Sequence, residues 1–208
     1  ASLWGSADKP FAEIFPKIQE IFNIIVTAFV FKTKKPLLYT LENWIETKEV
    51  IARKNMIGWI LNPFASKEHH PRRSKKNTAW KKAAWFYNAI SKGKGDNNHL
   101  LALKDYHSAV TDRSDDSFLF AYRSIEDIRR TITGCDNKEK KDWERMHRVL
   151  GTSKSFIDPL TDIAERVRHG NKIHKIVIQA RANRNKLLDI AHEIIEKEFK
   201  RTFPRFVS

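Results

Sequence analysis

The stretch that most constrains this chain runs from Asp158 to Arg201: DPLTDIAERVRHGNKIHKIVIQARANRNKLLDIAHEIIEKEFKR. Apolar or small residues recur at Ile163, Val167, Gly170, Val177, Leu188, Ala191, Ile195 and Phe199. That three-and-four spacing marks one face of an α-helix. Asp158 followed by Pro159 reads as a helix start, a capping oxygen and then a residue whose missing N–H costs nothing there. Unbroken, the helix would be about 64 Å long at roughly 1.5 Å per residue, which is long for a domain of this size. Gly170 is the natural break, because glycine enters the left-handed conformation that ends helices. The expectation is a helix to about His169, a cap or kink at Gly170, and a second helix from about Asn171.

The residues around that break carry the chemistry: Arg168, His169 and, after Gly170-Asn171-Lys172-Ile173, His174. On a continuous helix Arg168 and His174 would lie roughly 120° apart and would not converge. A kink at Gly170, or a second copy of the chain, would bring a guanidinium and an imidazole together. The competing expectation puts His174 in register with Ile163, Val167 and Val177, as a core imidazole. His192, further along, is expected to be exposed.

Upstream, Asp8-Lys9-Pro10 starts a helix with Ile14, Ile18, Ile21, Phe22, Ile25 and Phe29 at helical spacing, although the β-branched run from Asn23 to Lys32 also suits a buried strand. Leu37, Leu38, Leu41, Trp44 and Ile45 predict one or two helices reaching Asn62-Pro63, with room for a short β element between Val50 and Leu61. Residues 64–77 read as a loop, Thr78 starts a helix bearing Trp80, Ala84, Tyr87 and Ile90, and SKGKGDNN at 91–98 reads as a connector. From His99 the pattern is helical. One helix opens at Asp115 or Asp116, carries Phe118, Ala121, Tyr122, Ile125, Ile128 and Ile132 inward, and stops at Gly134; another carries Trp143, Met146 and Leu150 and stops at Gly151. The fold class is therefore mainly α. A helical bundle covers 99–200, and a mostly helical basic part covers 8–95. The boundary falls near 96, with the bundle running to 204, unless the two form one continuous domain.

Charge narrows the partners. The 208 residues carry a formal net charge of +14. Seven Lys or Arg against one Glu lie between Lys67 and Lys82, and seven with no acid between Arg166 and Lys186. Two dense basic blocks predict a polyanion, nucleic acid above all, held by Arg72, Arg73, Lys75, Lys76, Lys81, Lys82, Arg166, Lys172, Lys175, Arg181 and Arg184. The longest apolar run, Ile24 to Phe31, is too short to span a bilayer, so no membrane partner is expected. A single cysteine, Cys135, permits no intramolecular disulfide and predicts a reducing, cytoplasmic setting. No signal peptide is read at the N-terminus. Adjacent histidines His69-His70 point apart in most backbones and lack a companion ligand set, so no metal is expected, and no cofactor.

RNA cleavage without metal needs a base for the ribose 2′-hydroxyl, an acid for the leaving oxygen and a cation for the phosphate. Histidine and arginine fit those roles. Arg168-His169 followed by four residues and His174 resembles the R-(polar)-x4–6-H signature of HEPN domains, the higher eukaryote and prokaryote nucleotide-binding family, over about residues 99–200. The resemblance implies a helical bundle, a site formed where two domains pair, and a metal-independent endoribonuclease of a bacterial toxin or phage-defence system. It makes Arg168 and His174 the paired catalytic residues and His169 the polar residue after the Arg. Since some HEPN domains have lost catalysis, the alternative is a non-catalytic nucleic-acid-binding or partner-binding helical domain.

Overall fold

The computed structural model describes residues 11–35, 38–44, 56–61, 78–91, 93, 95–134, 139–170 and 174–207. It is mainly helical. Helix α1 (Phe11–Thr33) leads into an antiparallel hairpin of β1 (Leu38–Trp44) and β2 (Met56–Leu61), and the remaining elements are helices. These are α2 (Thr78–Ser91), α3 (Asn97–Thr111), α4 (Asp116–Thr133), α5 (Lys140–Leu150), α6 (Lys154–Arg168), α7 (Lys175–Ala182), α8 (Arg184–Thr202) and the short α9 (Pro204–Val207).

The run from Asn23 to Lys32 is helical, not a strand. Its apolar residues encircle the helix, so Ile24, Val26, Ala28, Val30 and Phe31 are buried while Ile25 and Phe29 of the expected face are only partly so. The expected helix through Leu38–Trp44 is instead strand β1. It pairs with β2 in a register that sets Leu38 opposite Leu61, Thr40 opposite Trp59 and Trp44 opposite Met56, with an irregularity between Leu41 and Asn43. Tyr39, Thr40, Trp44, Ile57, Trp59 and Ile60 are residues that favour a pleated strand, and that preference outweighs the helical spacing of the leucines.

The connector at 91–98 does not separate two cores. Phe31 of α1 and Phe86 of α2 belong to one apolar cluster with Leu103 and Tyr106 of α3, Ile125 and Ile128 of α4, Met146 of α5, Leu160 of α6 and Ile195 of α8. Phe199 of α8 lies at its centre, with ring centroids 5.6 Å from Phe31, 5.5 Å from Phe86, 5.5 Å from His99 and 5.3 Å from Phe203. Helix α3 opens with a capping box: the Asp96 carboxylate accepts the His99 amide (3.1 Å), and His99 Nδ1 accepts the Asp96 amide (3.1 Å). Glu198 Oε1 can only accept, so His99 Nε2 donates to it (3.2 Å), and it also receives Arg201 and Thr202 (2.8 Å each). Burial pushes the Glu198 carboxyl up, but the hydrogen bonds from His99, Arg201 and Thr202 override it and hold the group below the usual range.

Helices α4 and α5 end where glycines predict, on left-handed Gly134 and Gly151. The start of α6 differs from expectation. It opens at Lys154, after Ser153, so Pro159 lies inside the helix rather than at its first position. Pro159 is exposed, and so is Ser155, whose carbonyl it cannot pair with.

Candidate functional site

Helix α6 ends at Arg168, His169 occupies the cap, and its amide reaches back to Glu165 O at 3.1 Å. Gly170 follows at φ 76°, a conformation that a side chain would resist. Residues 171–173, Lys172 among them, lie outside the described residues. Helix α7 then begins at Lys175, with His174 as its N-cap: Nδ1 accepts the Ile176 amide at 3.2 Å. The expected break at Gly170 is therefore present. It also explains why the core expectation for His174 fails. Helical phase is lost at the break, so Ile163, Val167 and Val177 are buried while His174 is exposed, as are Arg168 and His169.

The cap has a chemical consequence. A ring nitrogen that accepts an amide hydrogen carries no proton, so the neutral His174 ring holds its proton on Nε2 and presents a donor to solvent. Beside it, Lys175 is exposed, and Ile176 and Ile178 expose 39% and 50% of their surface. On the α6 side of the break a cleft of about 260 Å³ is lined by Asp162, Glu165, Arg166 and His169. Arg166 is partly buried, and its Nε has no partner among the described residues.

The basic residues of the expected interface fall into three groups. Arg72, Arg73, Lys75 and Lys76 lie outside the described residues, as do His69 and His70. Lys81 and Lys82 are on α2, where Lys82 is half-buried and close enough to Lys32 to help burial depress that amine. Arg181 and Arg184 are engaged by the fold. Arg181 makes a fork to Asp115 at 2.8 and 2.6 Å, which raises its pKa. Asp115, expected as a candidate helix cap, makes no side-chain cap bond and holds this guanidinium. Arg184 reaches into the last turn of α3: Nη2 donates to the carbonyls of Ala109, Val110 (3.3 Å) and Asp112 (2.6 Å), and Nε to Ser117 Oγ (3.3 Å). Burial depresses its pKa. His192 is not exposed either. It stacks on Phe31 (centroids 4.5 Å apart, planes 19° apart) and bonds the Phe31 carbonyl at 3.2 Å, and burial lowers its pKa.

Sequence reasoning missed a polar cluster inside the bundle, next to α6. Arg129 of α4 is fully buried, its guanidinium 5.5 Å from the centre of the Trp143 ring and 3.8 Å from Asp142 Oδ2. About two turns before it, burial and then the charge of Glu126 push the Tyr122 phenol up to about 12, while the charge of Arg168 pulls the other way. Arg129 was hard to foresee because a charged residue rarely lies on the inward face of an otherwise apolar helix pattern. The signal that would have found it is the phase of Ile125, Ile128 and Ile132, which brackets Arg129.

Among the described residues no group of three or more His, Cys, Asp or Glu is placed to hold a metal ion, and no helix is long and apolar enough to cross a membrane. Residues 87–201 match a domain of unknown function (DUF8168), C-terminal domain. The chain belongs to this family. The DUF8168 C-terminal domain runs from within α2 to the end of α8 and includes the whole Arg168–His174 region. No curated protein and no solved structure matches the chain.

Proposed function

We propose that the protein is a metal-independent endoribonuclease of HEPN type, acting as a homodimer in the cytoplasm as part of a bacterial toxin or phage-defence system. The observation that carries the reading is the placement of Arg168, His169 and His174 in solvent on the two sides of the Gly170 break, with His174 fixed by its cap. Arg168 would hold the non-bridging oxygens of the phosphodiester. The 2′-oxygen attacks phosphorus, the P–O5′ bond breaks, one imidazole takes the 2′ proton and a protonated one delivers a proton to the 5′ oxygen, giving a cyclic phosphate and a free 5′-hydroxyl. Neutral His174 donates from Nε2 to a phosphate oxygen. To act as the acid it must become imidazolium and release the Ile176 amide. Two copies would supply two imidazoles and two guanidiniums, and exposed Ile176 and Ile178 beside His174 are apolar surface that such a pairing would cover.

The test is RNA cleavage in EDTA by wild type, His174→Ala and His174→Asn. Asparagine restores a capping oxygen but no titratable ring. Both variants are expected to lose activity by at least 100-fold, with His174→Asn keeping wild-type thermal stability. Equal activity in all three proteins, or none in any, rejects the proposal. The second reading, a non-catalytic nucleic-acid-binding or partner-binding domain, is favoured by the same exposed isoleucines beside Lys175. It predicts salt-steep binding without turnover.

A further inference from the structure

A cavity of about 420 Å³ opens between α4, α5 and α6, lined by Tyr122, Trp143, His147, Lys154, Ile157 and Asp158 among others. Its wall is aromatic. The Tyr122 and Trp143 rings lie 6.2 Å apart with planes inclined by 21°, and both are only partly buried. The Arg129 guanidinium packs on Trp143 from within the bundle. Ile157, which is buried, adds an apolar surface.

The polar groups are few and differ in kind. His147 Nδ1 is 3.0 Å from Thr152 Oγ1, while its Nε2 is shielded from solvent and has no partner among the described residues. Asp158 adds a partly buried carboxylate close enough to His147 to oppose the burial that lowers the imidazole's pKa. At the mouth, Lys140 pairs with Glu144 at 3.7 Å. Lys140 and Lys154 are thus balanced by Glu144 and Asp158, so the lining carries no net charge. Such a cavity does not favour a free phosphate. It suits a flat, uncharged ring with hydrogen-bonding groups at its edge.

From these features we infer that the cavity is the seat of one unpaired nucleobase of an RNA strand, stacked on Trp143 and read at its edge by Asp158, with the His147 ring in the wall. It rests on the RNA reading above and deepens it. Asp158 and Arg168 are ten residues apart on α6, about 15 Å along the helix axis. Tyr122, in the cavity wall, already feels the Arg168 charge. In this reading the strand runs from the seated base along α6 toward Arg168. A carboxylate only accepts hydrogen bonds. Uracil's one edge donor, N3–H, lies between two carbonyl oxygens that would face the carboxylate's own oxygens, so Asp158 favours bases with an exocyclic amine, adenine, cytosine or guanine, over uracil.

The full-length protein is titrated with AMP, UMP and ribose 5-phosphate while the Trp143 indole and His147 imidazole NMR signals are followed. The Trp143→Phe spectrum identifies the indole peak. AMP is expected to shift both signals, UMP to bind at least five-fold more weakly, and ribose 5-phosphate to move neither. Trp143→Leu should weaken AMP by about ten-fold, and Asp158→Asn should erase the preference over UMP while keeping the fold. Equal shifts from AMP and ribose 5-phosphate, or no shift from AMP at millimolar concentration, overturn the inference. Arg168→Ala and His174→Ala separate it from the nuclease reading, because both should abolish cleavage and keep the AMP shifts. AMP shifts in a wild type that cleaves nothing sink the nuclease reading alone. Cleavage without AMP shifts sinks the base pocket alone.

Discussion

Replacing Arg184 with methionine tests whether this side chain holds the fold or serves the proposed contact with RNA. Its guanidinium donates to two carbonyls in the last turn of α3, to the carbonyl of the Asp112 cap and to Ser117 Oγ. Helix C-termini leave carbonyls without intrahelical partners, and Arg184 supplies donors to them from α8. A hydrogen bond from a charged group contributes about 1.5–3 kcal/mol. The side chain is half-buried, and two of its four bonds are long at 3.3 Å. A loss of about 2–3 kcal/mol is therefore expected, which for a chain of this size lowers Tm by roughly 4–12 °C. Arg184→Lys should recover less than half, because one ammonium cannot span the carbonyls and the hydroxyl together. Exposed Lys175→Ala should stay within about 0.5 kcal/mol of wild type. The assays are thermal unfolding and the salt dependence of RNA binding at a temperature where every variant is folded. Losing a phosphate contact lowers the slope of log K against log salt by about 0.7. The expected result for Arg184→Met is a lower Tm with an unchanged slope. An unchanged Tm with a reduced slope refutes the reasoning and returns Arg184 to the nucleic-acid interface.

Two further outcomes follow from geometry and charge. Gly95 sits at φ 83°, and a Cβ there would meet Phe203 Cζ at 2.5 Å, so Gly95→Ala should cost about 1–3 kcal/mol in a urea melt; Phe203→Leu in the same chain should relieve the clash but not the backbone strain, and strict additivity of the two changes would contradict this. Burial, with Asp105 nearby, raises the Asp127 carboxyl to about 6 despite the hydrogen bond from Arg130. A folded-state value above the unfolded one means stability that is full below about pH 4 and lost as pH rises through about 6, on the order of 1 kcal/mol between pH 5 and 7. Carboxyl NMR should place the midpoint near 6, and Asp127→Asn should flatten the slope; a midpoint near 4 would remove the premise.

The helical bundle was legible in the sequence because Phe118, Ile125 and Ile128 and their counterparts repeat at helical spacing over long, glycine-terminated segments. The break at Gly170 was legible because glycine takes φ 76° at no steric cost. Strand β1 was not, because three leucines mimicked a helical period that its aromatic and β-branched residues overrode. The exposure of His174 could not be read from periodicity, which loses meaning across a helix break. The roles of Arg181 and Arg184 depend on Asp115 and the α3 carbonyls, 66 to 75 residues away in sequence. Composition sees only their charge.

The four aromatic rings around Phe199 set a limit on how the chain can be divided. Phe31, Phe86 and Phe203 all fall outside the 87–201 family match, and only His99 falls inside it. A fragment trimmed to the family boundaries would present a bare phenylalanine cradle where a core had been. Expression of the DUF8168 segment for biochemistry should therefore retain the first helix and the final turn.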